Sequence, residues 1–155
     1  MGRQDEGERT VASNRRARHD YELFDRFECG IQLTGDEVKS LRGGRASLVD
    51  CFGRVRGGEI WIEGMHIPPY EQGDKRTHVP LRPRKLLLHR REIDRIARDV
   101  AEKGLSLVPL RVYFTHGMAK VEVALARGKR KYEKRQSIAK REAQREMERA
   151  AGRRR

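Results

Sequence analysis

Residues 105–126 read LSLVPLRVYFTHGMAKVEVALA, and this stretch decides the fold class of the chain. It contains two runs rich in apolar and β-branched residues, 105–115 and 118–126, on either side of the dipeptide HG. Two such runs around a two-residue turn that includes glycine are typical of a β-hairpin. Pro109 cannot donate a ladder hydrogen bond, so the first strand is predicted to lie at a sheet edge or to carry a bulge.

The segments before this hairpin add more strands. Residues 21–30 alternate roughly between apolar and polar side chains, and residues 47–63 contain two alternating runs around the glycines at 57 and 58, the signal of a second hairpin. Residues 66–83 hold four of the five prolines and are predicted to form an exposed loop. We expect five or six short strands, and because short turns join most neighbours, their pairing should be antiparallel.

Two helices are predicted between the strands. Thr34 and Glu37 have the spacing of a capping box, and the glycines at 43 and 44 would end that helix. Apolar residues recur at helical spacing through residues 89–104, where Gly104 is the expected stop. The predicted fold is therefore mainly β with flanking helices, arranged as a small, partly open antiparallel β-barrel.

Charge divides the chain into a body and a tail. The 155 residues carry a net charge of +13, with 38% charged and 36% hydrophobic residues. Residues 128–155 hold 12 Lys and Arg against 4 Asp and Glu, whereas the first 127 residues hold 24 against 19. We predict a disordered N-terminus at 1–13, a folded domain at 14–127 and a basic tail at 128–155. Such a basic balance points to nucleic acid or an anionic membrane surface as a partner.

Neither membrane insertion nor catalysis is indicated. No stretch approaches the roughly 18 apolar residues of a membrane span, and the N-terminus lacks the apolar core of a signal peptide. Cys29 and Cys51 fit no metal-binding spacing and are predicted to be small core residues in a reducing compartment. No histidine pair has metal-ligand spacing, and no phosphate-binding loop occurs. We therefore predict no enzyme, metal or cofactor; a nuclease built from Glu28, Glu37 and a histidine is the remaining catalytic alternative.

Four stretches in register resemble one known family. They are NRRARHDY at 14–21, GDEVKSLR at 35–42, RKLLL at 84–88 and ARGK at 126–129. Together they look like the SsrA-binding proteins, also called small protein B. The resemblance implies a core of the oligonucleotide-binding barrel type. It also implies a bacterial, cytoplasmic, non-catalytic RNA-binding factor of trans-translation.

The same resemblance implies a set of partners. The family binds the tRNA-like domain of transfer-messenger RNA, which alanyl-tRNA synthetase charges and elongation factor Tu carries. It brings this RNA to stalled ribosomes, at the decoding centre of the small subunit. Its basic tail is loose in solution and becomes helical in the empty mRNA channel. No membrane partner is implied.

The RNA-binding residues are predicted partly from the residues themselves and partly from the resemblance. Residues 14–21 combine positive charge with hydrogen-bonding capacity, and Tyr21 offers either a stacking ring or a core side chain. The resemblance places Asn14, His19 and Glu28 on the RNA-contacting surface, where Glu28 would accept hydrogen bonds or orient a neighbouring arginine. The predicted RNA-binding set is Asn14, Arg16, Arg18, His19, Tyr21, Glu28, Lys39, Arg42, Arg84, Lys85, Leu87, Lys120 and Lys129.

The tail is predicted to contact the ribosome. It is rich in good helix formers over residues 138–151, but its apolar stripe is too thin to support folding alone, so we expect order on binding. It departs from the family pattern at Glu133, Ala139 and Lys140, so individual contacts there do not follow from the resemblance. A solubilising tail, a permanent rRNA anchor of a ribosomal constituent and a coiled coil are the alternatives. The predicted ribosome-binding set is Tyr132, Glu133, Lys134, Arg135, Ile138, Lys140 and Arg141.

Overall fold

The structure is a computed structural model that describes the backbone of residues 7–153 and the side chains of residues 7–129 and 141–152. It contains seven strands and four helices within those residues. The strands are β1 (Glu8–Ser13), β2 (Tyr21–Ile31), β3 (Phe52–Arg56), β4 (Glu59–Glu63), β5 (Arg84–Leu87), β6 (Ser106–Thr115) and β7 (Met118–Gly128). The helices are α1 (Ala17–Asp20), α2 (Gly35–Arg42), α3 (Arg90–Lys103) and α4 (Lys129–Arg153).

Six of the strands form a sheet that closes on itself. The order is β6-β3-β4-β5-β2-β7, and β7 pairs again with β6, while β1 adds to the outer edge of β6. Every pairing between these strands is antiparallel. The predicted mainly β fold with an antiparallel sheet and flanking helices is confirmed. A closed ring leaves few free edges, which protects the sheet from pairing with other chains.

The two predicted hairpins are present. His116 and Gly117 join β6 to β7 with φ of 51° and 75°, and Gly57 and Gly58 join β3 to β4 with φ of 61° and 75°. Positive φ at both central residues is the turn geometry whose twist matches that of the flanking strands. The β6–β7 register shifts next to Pro109, which confirms the predicted bulge.

One residue pair completes the ring between β3 and β6. Gly53 lies opposite Leu107, and a Cβ at position 53 would lie 2.6 Å from Leu107 Cδ2. Leu107 is itself buried in the core, so it has little room to move. Glycine is therefore required where these two strands approach each other.

Both predicted helices are confirmed. The capping box of α2 is complete: Glu37 N–H donates to Thr34 Oγ1 at 3.3 Å, and Thr34 N–H donates to Glu37 Oε1 at 2.9 Å. Helix α3 ends before Gly104, which has the left-handed φ of 64° expected of a C-terminal stop. Ile93 and Ile96 of α3 join the main core, so the helix closes over the interior of the ring.

The N-terminal prediction is wrong for residues 8–13. These residues form β1 and pair with β6 from Glu8 opposite Thr115 to Ser13 opposite Arg111. Val11 and Ala12 also pack against the core. The segment is ordered because β6 supplies its backbone hydrogen-bond partners. This long-range pairing cannot be predicted from a short polar sequence. Residues 1–6 lie outside the described part of the chain.

The tail continues directly from β7 as α4. All described side chains from 141 to 152 are exposed, including Met147 at 67%. Glu146 and Arg149 form an i,i+3 ion pair, with 3.7 Å between Oε1 and Nη1. The helical conformation of the tail agrees with its composition, and its loss of order in isolation stays a prediction. Within residues 7–153, no helix is long and apolar enough to cross a membrane.

Candidate nucleic-acid interface

Four neighbouring strands present one continuous outer surface. Gly30 of β2 lies opposite Leu87 of β5 on one side and opposite Lys120 of β7 on the other, and Lys120 lies opposite Tyr113 of β6. Directly opposed residues share a face of a sheet, as do residues two apart on one strand. We call this surface the strand face; it carries Glu28, Lys85, Leu87, Tyr113 and Lys120.

The β5 part of the strand face is partly apolar. Along β5 the burial alternates, so that Leu86 is fully buried while Leu87 is 48% exposed. Gly30 lies under Leu87, because a Cβ there would be 3.2 Å from Leu87 Cβ. Lys85, two residues away on β5, and Lys120, opposite Gly30 on β7, are half-buried on the same face. An apolar side chain on one face with two cations suits a ribose or base against which phosphates also lie.

Glu28 is held by a residue that the sequence analysis missed. The hydroxyl of Tyr113 donates a hydrogen bond to Glu28 Oε2. Tyr113 is only 1% exposed because the Arg111 guanidinium lies 3.9 Å from the centre of its ring. Burial, followed by the hydrogen bond to Glu28, raises the pKa of the Tyr113 phenol, so the hydroxyl remains a donor. The signal was present in β6, where inward-facing Val112 and Phe114 leave Tyr113 pointing outward.

A chain of ion pairs crosses the same surface. Arg111 Nη1 lies 3.3 Å from Glu8 Oε2, and Arg111 Nε lies 3.5 Å from Glu122 Oε1. Glu122 Oε1 also lies 3.9 Å from Arg26 Nη1. These four residues come from β1, β6, β7 and β2 in turn. Networks of this kind hold side chains in fixed positions more effectively than isolated surface pairs do.

A second group of predicted residues meets where β2 begins and β7 ends. Tyr21 pairs with Gly128, and Lys129 Nζ donates to the carbonyl of Arg18 at 3.3 Å. The side-chain amide of Asn14 donates to the carbonyl of Pro109 at 3.0 Å, so this carbonyl at the β6 bulge has a hydrogen-bond partner. The exposed side chains of this group add positive charge and hydrogen-bonding capacity. We call this group the junction cluster; it comprises Asn14, Arg16, Arg18, His19, Tyr21 and Lys129.

The two groups are separated along β2. Tyr21 opens the strand and Glu28 is seven residues further on, a span of roughly 20 Å at about 3.3 Å per residue. Both lie along the β2–β7 pair, so a single elongated partner can reach them together. Tyr21 is half-buried and packs against a small cluster of Ala17, Val108, Leu110, Ala124 and Ala126, which supports its core role as well as an edge for stacking.

The prediction that Arg84 contacts RNA is corrected. Arg84 is 0% exposed, and its Nε donates to Glu37 Oε2 at 2.6 Å. It also donates to the carbonyls of Met65 and Pro80, at 2.7 and 3.1 Å. The physical reason is the β5 alternation, which places Arg84 on the inner side with Leu86. Arg84 ties α2, the end of β4 and the 66–83 loop together, and it is not available to a partner.

Glu37 belongs to this buried unit and not to a reaction centre. Burial opposes its ionisation, but hydrogen bonds from Arg82, the Thr34 backbone and Arg84 outweigh burial and lower the pKa of Glu37 to about 2. A carboxylate this acidic and enclosed is a poor general base at neutral pH. No group of three or more metal-binding side chains occurs within the described residues. Within the described residues, Glu37 is therefore a poor candidate for the base of the nuclease alternative.

Of the remaining predicted residues of α2, Lys39 faces the 66–83 loop and Arg42 lies near β1. The ammonium of Lys39 lies 5.4 Å from the centre of the Tyr70 ring, while Ser40 Oγ donates to the carbonyl of Pro68 at 2.8 Å. Arg42 is exposed, and its carbonyl accepts a hydrogen bond from Arg9. The structure therefore does not bring Lys39 and Arg42 together with the strand face as one phosphate clamp.

The two cysteines agree with their predicted core placement. Both are buried, and burial is the main cause that raises the pKa of each thiol to about 12. Of the ribosome-binding set, Arg141 is exposed, while the side chains of Tyr132, Glu133, Lys134, Arg135, Ile138 and Lys140 lie outside the described residues. The roles assigned to the tail thus stay predictions.

Comparisons with known proteins now identify the family. The family model described as SmpB protein matches residues 11–153. The SsrA-binding protein of Salinispora arenicola is 61% identical over 97% of this chain and 94% of its own length. That of Thermobifida fusca is 59% identical, with the same shares covered. That of a Mycobacterium species is 55% identical over 97% of this chain and 89% of its own length.

One solved structure gives an independent comparison of shape. A chain from the work described as "tmRNA-SmpB: a journey to the center of the bacterial ribosome" superimposes with a TM-score of 0.62 and 50% identity. The match covers 75% of this chain and 82% of that chain. Since the family model spans most of the sequence and the relatives match nearly from end to end, this chain belongs to the SmpB protein family.

Proposed function

We propose that this protein is a non-catalytic RNA-binding factor of trans-translation. It binds the tRNA-like domain of transfer-messenger RNA and delivers it to stalled ribosomes, with α4 entering the empty mRNA channel. The observation that carries the proposal is the 61% identity to an SsrA-binding protein over 97% of the chain. The solved match, whose description names tmRNA, SmpB and the bacterial ribosome, supports the choice of an RNA and a ribosome as partners.

The body of the protein is the part that reads the RNA. Folded RNA is recognised through its shape, its 2′-hydroxyls, its phosphates and its unpaired bases. The strand face supplies an exposed leucine, two lysines and a fixed carboxylate, and the junction cluster supplies arginines and a histidine. This mixture favours selective binding, since base and sugar contacts carry the discrimination that phosphate contacts lack.

The tail is the part that enters the ribosome. Its exposed basic side chains gain phosphate contacts in a channel lined by rRNA, and these contacts offset the entropy lost on ordering. A channel that holds mRNA leaves no room for the helix. Folding in the channel therefore reports that the channel is empty.

This function places the protein in the bacterial cytoplasm. Elongation factor Tu and alanyl-tRNA synthetase act through the same RNA and so are indirect partners. The protein itself contributes binding and placement, with no chemical step of its own.

The test is filter binding of the full chain and of a 1–128 truncation across a salt series. Each is measured against the tRNA-like domain of transfer-messenger RNA and against ordinary alanine tRNA. We expect both proteins to prefer the tRNA-like domain, because the body carries the selective contacts. Equal binding of the two RNAs with a steep salt slope, or loss of binding on truncation, would contradict the proposal.

Co-sedimentation separates the proposal from a ribosomal constituent. A rescue factor is present on a small fraction of ribosomes and is removed by a high-salt wash. A permanent rRNA-anchored constituent stays at one copy on every ribosome through the same wash.

A further inference from the structure

The Tyr113–Glu28 contact is unusual for an exposed strand surface. Tyr113 fills its position with almost no exposure, and its hydroxyl is directed along the surface to Glu28 on β2, 85 positions away in sequence. The strands that carry the two residues are not neighbours, because β7 lies between β2 and β6. The phenol therefore reaches across an intervening strand to hold one carboxylate.

The tyrosine is itself held from above. Arg111 covers the Tyr113 ring and is fixed by Glu8 on one side and Glu122 on the other. A cation over the ring, with both its ends paired, stabilises this position of the ring. The Tyr113 hydroxyl is thus directed at Glu28 Oε2.

The contact uses one oxygen of the exposed Glu28 side chain. Oε2 receives the Tyr113 hydroxyl, while Oε1 makes no hydrogen bond or ion pair among the described residues. An ionised carboxylate accepts but does not donate, so Oε1 can bind only a hydrogen-bond donor. Lys120 and Leu87, a cation and an apolar side chain, lie on the same strand face.

We propose that Tyr113 is a positioning residue for RNA recognition: its hydroxyl fixes the Glu28 carboxylate so that Oε1 accepts a hydrogen bond from the RNA. The inference rests on the proposed function. The donor is a 2′-hydroxyl or the exocyclic amino group of an unpaired base, since phosphates have no donor at neutral pH. Fixing the carboxylate beforehand lowers the entropy lost when the RNA binds.

A double-mutant cycle tests this role on the full chain. The tRNA-like domain of transfer-messenger RNA is titrated with wild type, Tyr113→Phe, Glu28→Ala and the double variant. We expect Tyr113→Phe to weaken binding about 10-fold, and Glu28→Ala about 10- to 100-fold. The double variant should match Glu28→Ala alone, because without the carboxylate the hydroxyl has nothing to position. The salt slope should not change, since no phosphate contact is removed.

Tyr70→Phe is the matched control. Its hydroxyl donates to Gln72 at 3.3 Å in the 66–83 loop, away from the strand face, and we expect its affinity to equal that of the wild type. Thermal unfolding of each variant separates positioning from folding. Glu28→Asp provides a second route that changes only an exposed side chain. It keeps the charge but withdraws the carboxylate from Tyr113, and it should also bind about 10-fold more weakly.

Analogue interference identifies the donor. Pools of the RNA carrying random 2′-deoxy nucleotides, or nucleotides without an exocyclic amino group, are selected by wild type and by Glu28→Ala. Interference in one pool that disappears with Glu28→Ala identifies the hydroxyl or the amino group as the donor.

Three outcomes would overturn the inference. They are interference identical for both proteins in both pools, additive losses in the double-mutant cycle, and an affinity of Tyr113→Phe equal to that of the wild type. Failure of the wild type itself to prefer the tRNA-like domain would overturn the proposed function instead.

Discussion

The α2 side of the molecule and the C-terminal helix use the same residue types in opposite ways. In the body, Arg84 and Glu37 are 0% and 2% exposed, and their side chains approach to 2.5 Å. In α4, Arg149 and Glu146 approach only to 3.7 Å, with side chains 64% and 76% exposed. A buried pair holds backbone segments in place, and breaking it is costly; an exposed pair contributes little to stability.

This difference in exposure determines which charged side chains are available to RNA. The counterion release that drives nucleic-acid binding requires a cation that can reach a phosphate. Arg84 cannot do so, because its donors are used by Glu37 and by the carbonyls of Met65 and Pro80. The count of Lys and Arg in the body therefore overstates its basic surface, because Arg84 is buried. The described basic side chains of the tail are exposed.

Glu37→Gln is the strongest test of the difference between the buried and the exposed ion pairs. The change keeps the shape of the side chain but leaves the buried Arg84 cation without its counter-charge. We expect unfolding in urea at pH 7 to show a loss of about 3–5 kcal/mol. Glu71→Gln is the control, because Glu71 is 82% exposed and lies 3.7 Å from Arg45. It should change the free energy of unfolding by less than about 0.5 kcal/mol; similar losses for both variants would remove the distinction between buried and exposed charges.

The stability contributed by the Glu37–Arg84 pair should depend on pH. Glu37 has a pKa of about 2 in the folded protein and about 4.5 when unfolded, so its contribution is fully present above pH 4.5 and is lost as pH falls toward 2. The shift corresponds to about 3 kcal/mol. Urea unfolding between pH 6 and pH 2.5 should show the difference between wild type and Glu37→Gln shrinking with pH. A constant difference across this range would mean that the pKa of Glu37 does not change on folding.

Local sequence patterns predicted the elements better than their long-range partners. The capping box at Thr34 and Glu37 was readable because both residues lie within one turn of a helix. That Glu37 also binds Arg84, 47 residues later, was not, because a single sequence does not show which segments meet. The same limit explains β1, whose order depends on pairing with β6.

In the strands of the strand face, the alternation of buried and exposed side chains could be predicted from the sequence. The alternation that buries Leu86 and exposes Leu87 also directs Arg84 inward, two residues before Leu86. This geometry conflicts with the place of Arg84 in the predicted RNA-binding set. Alternation in β6 would likewise have placed Tyr113 on the outer face. The identity of its partner, however, depends on a register across two strand pairs, which the sequence does not specify.

Gly53→Ala tests how tightly the body is packed where the ring closes, in contrast to the exposed tail. The added Cβ would lie 2.6 Å from Leu107 Cδ2, where the ring closes between β3 and β6. We expect a loss of about 1–3 kcal/mol in thermal or urea unfolding, as for other overpacked cores. Gly35→Ala is the matched control: its added Cβ meets nothing within 4 Å, at the first residue of α2. That variant should be neutral or slightly stabilised, and equal losses for both would show that the closure point is not tight.

Removal of residues 141–155 should have the smallest effect on stability and a clear effect on binding. The described side chains of 141–152 bury nothing, so the free energy of unfolding should change by less than about 0.5 kcal/mol. The segment holds six Lys and Arg, and if all six reach rRNA phosphates, the salt slope of ribosome binding should become shallower by about 4. Met147→Ala in the full chain is the control, and it should change neither quantity. A truncation that destabilises the body would mean that the tail packs on the ring, in which case its charges would belong with Arg84 and not with the surface that meets RNA.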